Sequence, residues 1–235
     1  MIEVAGFSDQ GPVRKENQDV WQTLDLSGGR WALLLADGMG GHQGGGEAAR
    51  AAVEAAARSL RPDSAGERPL EAAVSAANDA VAEVAAQLGG DPGTTLVLAL
   101  LDEDEASVAN VGDSRGYVVR RGSARPITED HSWVADQVRQ GRLAQEEIRR
   151  HPRRNVITRA VLGEAVVPDV FTVELRPRDI LLLCSDGLWE PLEDEQLTEL
   201  LTDDLPLAVL LERACRAALE AGGTDNVTAV AARRQ

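Results

Sequence analysis

Five aspartates stand where an apolar run meets a tight turn. Asp37 follows Trp31 to Ala36 and precedes Gly38, and Asp186 follows Ile180 to Cys184 and precedes Gly187. Asp113 lies in Gly112-Asp113-Ser114-Arg115 and Asp225 in Gly222-Gly223-Thr224-Asp225-Asn226, while Asp19 closes Arg14-Lys15-Glu16-Asn17-Gln18-Asp19. Taken singly, each is a turn aspartate that caps its own backbone, because Asp-Gly and Gly-Asp are common turn signals. Taken together they mean more. Strand ends on one edge of a sheet lie close, and carboxylates gathered there without cations repel one another. Such a cluster suits a hard divalent cation, Mg²⁺ or Mn²⁺, and the absence of a His/Cys cluster argues against zinc.

The elements that must position these groups follow from periodicity. Short strands are predicted at Ile2 to Phe7, Val20 to Leu26 and Trp31 to Ala36, the last leading into the glycine-rich stretch Asp37 to Gly46. Ala-rich helices are expected from about Glu47 to Leu60 and from Leu70 to Leu88, separated by Arg61-Pro62-Asp63-Ser64. A strand meander covers Thr95 to Leu101, Ala106 to Val111 and Gly116 to Arg120. An Arg-rich helical region spans Ser132 to Arg150, then strands at Val170 to Leu175 and Ile180 to Cys184, a helix at Pro206 to Ala221 and a strand at Asn226 to Ala232. Short turns favour antiparallel pairing, so the fold class is α+β with layered sheets and helices. Nothing resembles a linker, and one domain over 1–235 is expected.

Composition narrows the function classes. Apolar residues make up 43% and charged residues 27%, an ordinary soluble balance. No apolar run is long enough for a membrane span and no secretory signal is visible, which gives a cytoplasmic expectation. A net charge of -15 disfavours nucleic acid and anionic membranes. Cys184 and Cys215 read as buried free thiols, and neither begins a Cys-x5-Arg phosphate loop, which argues against a thiol phosphatase. Gly44-Gly45-Gly46-Glu47-Ala48-Ala49 loosely fits a dinucleotide loop, but it lies away from its strand and no parallel strand follows. No Gly-Lys-Ser/Thr is present, so a nucleoside-triphosphate loop is absent too.

The ordered set Arg-x-x-Asn-Gln-Asp, Asp-Gly-Met-Gly-Gly-His, Gly-Thr-Thr, Gly-Asp-Ser-Arg, Ser-Asp-Gly-Leu-Trp and Thr-Asp-Asn-Val-Thr, running from Gly6 to Val230, resembles the type 2C, metal-dependent serine/threonine phosphatases, bacterial catalytic domains above all. The resemblance implies a four-layer αββα sandwich with two central antiparallel sheets and a pair of Mn²⁺ or Mg²⁺ ions at one end. By motif position Asp37 bridges the ions, Asp186 and Asp225 complete one site, and Asp19 with the Gly38 carbonyl faces the other. Asp113 with Asp186 matches the position of a third, weaker ion. Arg14 aligns with the arginine that grips the substrate phosphate, where a guanidinium fork suits two oxygens. The implied reaction is hydrolysis of phosphoserine and phosphothreonine in proteins by a metal-activated water, opposing a bacterial serine/threonine kinase. The expected state is a monomer.

Two positions depart from the pattern. Met39 replaces a histidine that many eukaryotic relatives place after Asp-Gly as the acid. His42 is one substitute, and a metal-bound water is preferred. Gln18 stands where an acidic residue is common. The arginines between Arg139 and Arg159 resemble a flap beside the active site, about 132–159; a solvated charged face is the equal alternative. Two rival functions remain: a non-catalytic phosphoprotein-binding module, and a phosphatase for small metabolites.

Overall fold

The computed structural model describes residues 1–39, 44–61 and 68–235. His42 and the Pro62-Asp63-Ser64 breaker lie outside the described residues. The chain runs β1 (Ile2–Asp9), β2 (Asp19–Asp25), β3 (Trp31–Met39), α1 (Gly45–Ser59), α2 (Pro69–Leu88), β4 (Gly93–Thr94), β5 (Leu96–Asp102), β6 (Glu105–Val111), β7 (Arg115–Val119), β8 (Ala124–Pro126), α3 (Trp133–Arg139), β9 (Asp169–Glu174), β10 (Ile180–Cys184), α4 (Asp186–Trp189), α5 (Asp194–Leu201), α6 (Leu207–Glu220) and β11 (Val227–Arg234). One sheet is ordered β1-β11-β10-β7-β8 and the other β2-β3-β5-β6-β9, with the short β4 added to β3. Every pairing between these strands is antiparallel.

Three apolar layers follow from strand alternation. Leu33 and Leu35 of β3 meet Leu181 and Leu183 of β10 and Val230 of β11 between the sheets. The alternate residues of β3, Ala32, Leu34 and Ala36, face the alanine-rich sides of α1 and α2. Leu182 and Cys184 of β10 face outward onto α4, α5 and α6. Period-two side chains thus serve two cores from one strand, which is why β3 and β10 read as unbroken apolar runs. The α+β, αββα arrangement is the one expected.

Most predicted elements recur within a few residues. The helix expected over Ser132 to Arg150 does not: α3 stops at Arg139, and a 3₁₀ turn at Gln145–Arg150 follows. Gly141, at φ +69°, sits between the two in the left-handed region and breaks the helix. The short β4, β8, α4 and α5 were not anticipated. Both cysteines are free and buried in the outer core beside α6, and burial pushes both thiols up.

Candidate metal and phosphate site

All five candidate aspartates arrive at the same end of the two sheets. Asp19 opens β2 and lies directly across from Asp37 of β3. Asp113 sits in the β6–β7 turn, Asp186 begins α4 just after β10, and Asp225 precedes β11. Two glycines make the close approach possible. A Cβ on Gly38 would stand 2.3 Å from the Gly45 carbonyl oxygen, and one on Gly187 would stand 2.0 Å from that of Asn226. Only glycine fits at either place, so each strand-end Asp-Gly pair is a backbone requirement as well as a turn signal.

A cavity of about 180 Å³ opens here, lined by Arg14, Gln18, Asp37, Gly38, Met39, Thr95, Asp113, Asn155, Ile157, Asp186 and Asp225. Asp19 is set behind this wall, where its Oδ2 accepts from Ser185 Oγ at 2.8 Å. Among the described residues, Oδ1 of Asp19 and Oδ1 of Asp186 are buried without a hydrogen-bond partner. Orphaned carboxylate oxygens are costly in an interior and call for a cation or a proton.

The electrostatics agree. Burial raises the Asp37 carboxyl well above its usual range, and the charges of Asp19, Asp186, Asp113 and Asp225 raise it further. Asp186 is likewise raised well up, by burial first and then by Asp113 and Asp225. Asp19 moves to about 6 through burial, against hydrogen bonds from Thr228 and Ser185. Burial and the Asp130 charge carry Asp113 to about 7. Such shifts arise where buried carboxylates crowd together, an arrangement that a cation would relieve. The donors are hard oxygens, the chemistry of Mg²⁺ or Mn²⁺. Among the described residues no three such groups converge tightly enough to cage an ion alone, so carbonyls and waters would complete each coordination sphere.

Arg14 projects from the β1–β2 loop and donates from Nη2 to Asp225 Oδ2 at 2.5 Å, with its side chain half exposed at the cavity. That hydrogen bond raises its already high pKa. Asn226 organises this loop: its Oδ1 accepts from Gln18 N at 2.9 Å, and its Nδ2 donates to the Gln10 and Glu16 carbonyls. Met39 lines the cavity and offers no proton.

Several supporting residues escaped the sequence reading. Thr95 Oγ1 accepts from the Asp37 amide at 3.0 Å, and Thr94 Oγ1 donates to the Asp37 carbonyl at 2.9 Å, which gives the Gly-Thr-Thr motif a physical purpose. The Asp113 turn is held from both sides. His131 Nδ1 accepts from the Gly112 amide at 3.0 Å, while Trp189 Nε1 donates to the Asp113 carbonyl at 2.9 Å. Trp189 lies one helical turn after Asp186, so a single indole ties the two acidic turns together. Arg115 stacks on that indole at 3.5 Å and donates from Nε and Nη2 to Asp130 at 2.8 and 2.7 Å.

The Arg-rich segment closes onto the body of the protein. Ser132 bridges to Ile157, and Trp133 N donates to the Val156 carbonyl at 2.7 Å. Arg149 pairs with Glu193 and Asp194, and Arg154 with Glu190. These arginines are therefore engaged rather than simply solvated, and Asn155 and Ile157 reach the cavity rim.

A family model described as protein phosphatase 2C matches residues 13–222. The serine/threonine protein phosphatase PstP of Mycobacterium tuberculosis is 40% identical over 99% of this chain and 45% of its own length. This chain thus spans about half of that relative. The serine/threonine phosphatase stp of Listeria innocua is 33% identical over 97% of this chain and 94% of its own. A crystal structure of the PstP catalytic domain in complex with two manganese ions superposes with a TM-score of 0.86 at 37% identity, covering 99% of this chain and 97% of that one.

Proposed function

The chain belongs to the protein phosphatase 2C family, and from that premise we propose that it is a metal-dependent phosphatase of phosphoserine and phosphothreonine in proteins. One observation carries the reading: buried carboxylates gather at one cavity, Asp19 just behind its wall, with two oxygens unpartnered among the described residues and with pKa values raised by burial and mutual repulsion. When bound, Mn²⁺ or Mg²⁺ ions supply Lewis-acid stabilisation of phosphoryl charge and acidify water.

The residues divide the remaining work. Asp37, Asp186 and Asp225 would hold one ion, Asp37, Asp19 and the Gly38 carbonyl the second, with Asp113 and Asp186 offering a weaker third position. With Asp225 holding a cation, the Arg14 fork would be available to grip two phosphate oxygens and orient the phosphorus. The Thr94 and Thr95 hydroxyls keep the Asp37 backbone from shifting as charge redistributes. Asn155 and Ile157 line the same cavity, which supports reading 132–159 as a flap-like part of one catalytic domain covering 1–235. No helix among the described residues is long and apolar enough to cross a membrane, and the proposed setting is the cytoplasm. There a monomer would reverse the signalling of a bacterial serine/threonine kinase. The acidic surface leaves nucleic acid and membranes outside its partners.

Substrate class is tested by comparing kcat/KM for a phosphothreonine peptide and for sugar phosphates, in Mn²⁺ and in Mg²⁺. The proposal expects the peptide to be preferred by tenfold or more. Preference for the sugar phosphates would make this a metabolite phosphatase, and tight phosphopeptide binding without turnover would make it a binding module.

A further inference from the structure

A cleft larger than the acidic cavity lies at the opposite end of the sandwich. The strands β7, β10 and β11 that meet Asp113, Asp186 and Asp225 at one end reach Val119, Ile180 and Arg234 at the other, roughly 17 Å away along the five residues of β7 or β10 at about 3.4 Å each. There a cavity of about 850 Å³ is bordered by six arginines, Arg120, Arg121, Arg176, Arg178, Arg233 and Arg234, and by four carboxylates, Glu174, Asp179, Asp203 and Asp204. A protein with net charge -15 has thus gathered guanidiniums at a place its catalytic reading does not use.

Some of these arginines are structural. Arg120 is fastened to Asp179, Arg233 to Glu3 and Arg176 to Glu174. Others are not neutralised. Arg121 makes no ion pair or hydrogen bond through its side chain among the described residues, and Arg178 comes only within 3.8 Å of an exposed Asp204. Arg234 gives its guanidinium to the Leu175 carbonyl rather than to a carboxylate.

Backbone geometry makes the same point independently. Arg121 and Gly122 form the two-residue β7–β8 hairpin loop, with Arg120 and Ser123 exchanging amide bonds and φ at +49° and +74°. Asn or Gly fills the first place of such a loop most easily. Arg178 follows Pro177 in a turn closed by Asp179 N to the Arg176 carbonyl at 3.0 Å, with φ at +73°, the place a type II turn reserves for glycine. Of the three non-glycine residues with positive φ among the described residues, two are arginines at the rim of this one cleft. Strain retained for the sake of a side chain points to a use for its charge.

We propose that this cleft binds a small molecule carrying two or more linked phosphates. The volume is that of a small-molecule site, and the guanidiniums come from separate turns around a basin rather than along a groove. Planar forks match phosphate oxygens two at a time. The cleft uses none of the acidic cluster, so its ligand is independent of the phosphatase reading.

The test uses the full chain, stripped of metal and dialysed free of chelator, so that the acidic site repels anions. Calorimetric titration with inorganic pyrophosphate should give saturable one-to-one binding that orthophosphate matches at least tenfold more weakly. The double variant Arg121→Gly/Arg178→Gly suits both positive-φ turns, so it should fold with an unchanged or raised Tm. It should lose pyrophosphate affinity by tenfold or more and keep its Mn²⁺-dependent turnover of p-nitrophenyl phosphate. Absence of saturable binding, equal affinity in the double variant, or tighter binding of a hexaglutamate peptide than of pyrophosphate would each overturn the proposal.

Discussion

Replacing Asp130 by Asn should cost this fold more than any exposed charge change. Arg115 and Asp130 are paired through two hydrogen bonds, and their side chains keep only 7% and 5% of their surface exposed. Burial, the largest single influence, lowers the guanidinium pKa, and the Asp130 charge together with Tyr117 and the hydrogen bonds to both carries the net shift upward. The amide that replaces the carboxylate could accept one bond but would leave a buried cation without its counter-charge. Breaking a buried pair from one side costs about 3–5 kcal/mol. At roughly 2–4 °C per kcal/mol for a chain of this size, Tm should fall by about 6–20 °C. Thermal melts followed by circular dichroism, with urea midpoints as a second measure, would read this. The double variant Arg115→Met/Asp130→Leu removes both charges and should recover most of the loss, because an apolar pair of similar volume replaces the ion pair without an orphan. A fall below about 2 °C in Asp130→Asn would refute the reasoning. So would a double variant as unstable as the single one.

The remaining expectations concern the acidic turns. Trp189→Phe keeps an aromatic face for Arg115 but removes the donor to the Asp113 carbonyl; a loss of about 1–3 kcal/mol and weaker Mn²⁺ binding by calorimetry should follow, and an unchanged isotherm would count against the tie between the two turns. Burial, opposed by the Asp169 hydrogen bond, lowers the His131 pKa below the unfolded value near 6.5. The unfolded chain therefore binds this proton first, and stability is lost as pH falls from about 6.5 through the folded value. Urea midpoints of the wild type minus those of His131→Gln should shrink between pH 7.5 and 5.5, whereas a constant difference would show that the ring does not titrate on unfolding. Mn²⁺ at a hundred times its dissociation constant should stabilise the chain by about 2.7 kcal/mol, or about 5–11 °C in Tm. Asp186→Asn should lose most of that gain, and a gain of equal size in the variant would move the ions away from this cavity.

Much of the site was legible because local rules and tertiary packing agree there. The run Leu33-Leu34-Leu35-Ala36 before Asp37-Gly38 announces a strand buried on both faces, and β3 is one. The same holds for β10 before Asp186-Gly187. What sequence could not show are contacts between distant segments. Arg115 and Asp130 are separated by the β7–β8 hairpin, and nothing in either motif says that they pair over Trp189. The Asp19 partner, Ser185, is 166 residues away. Some signals were present but unread: Glu193 N donating to Gln196 Oε1, ahead of Leu197, Leu200 and Leu201, marks the start of α5. The three-residue β8, which ends on Pro126, carries no periodicity and exists only because β7 offers it an edge.

The central claim, that this carboxylate cluster holds the divalent ions that drive phosphomonoester hydrolysis, is tested most directly by one assay. Phosphate release from a phosphothreonine peptide would be followed with Mn²⁺ and with excess chelator, for the wild type, Asp37→Asn and Asp186→Asn, each checked for folding. The account predicts turnover in Mn²⁺ that chelator abolishes and that falls at least a hundredfold in both variants. Turnover that survives chelator, or survives in folded Asp37→Asn, would contradict it.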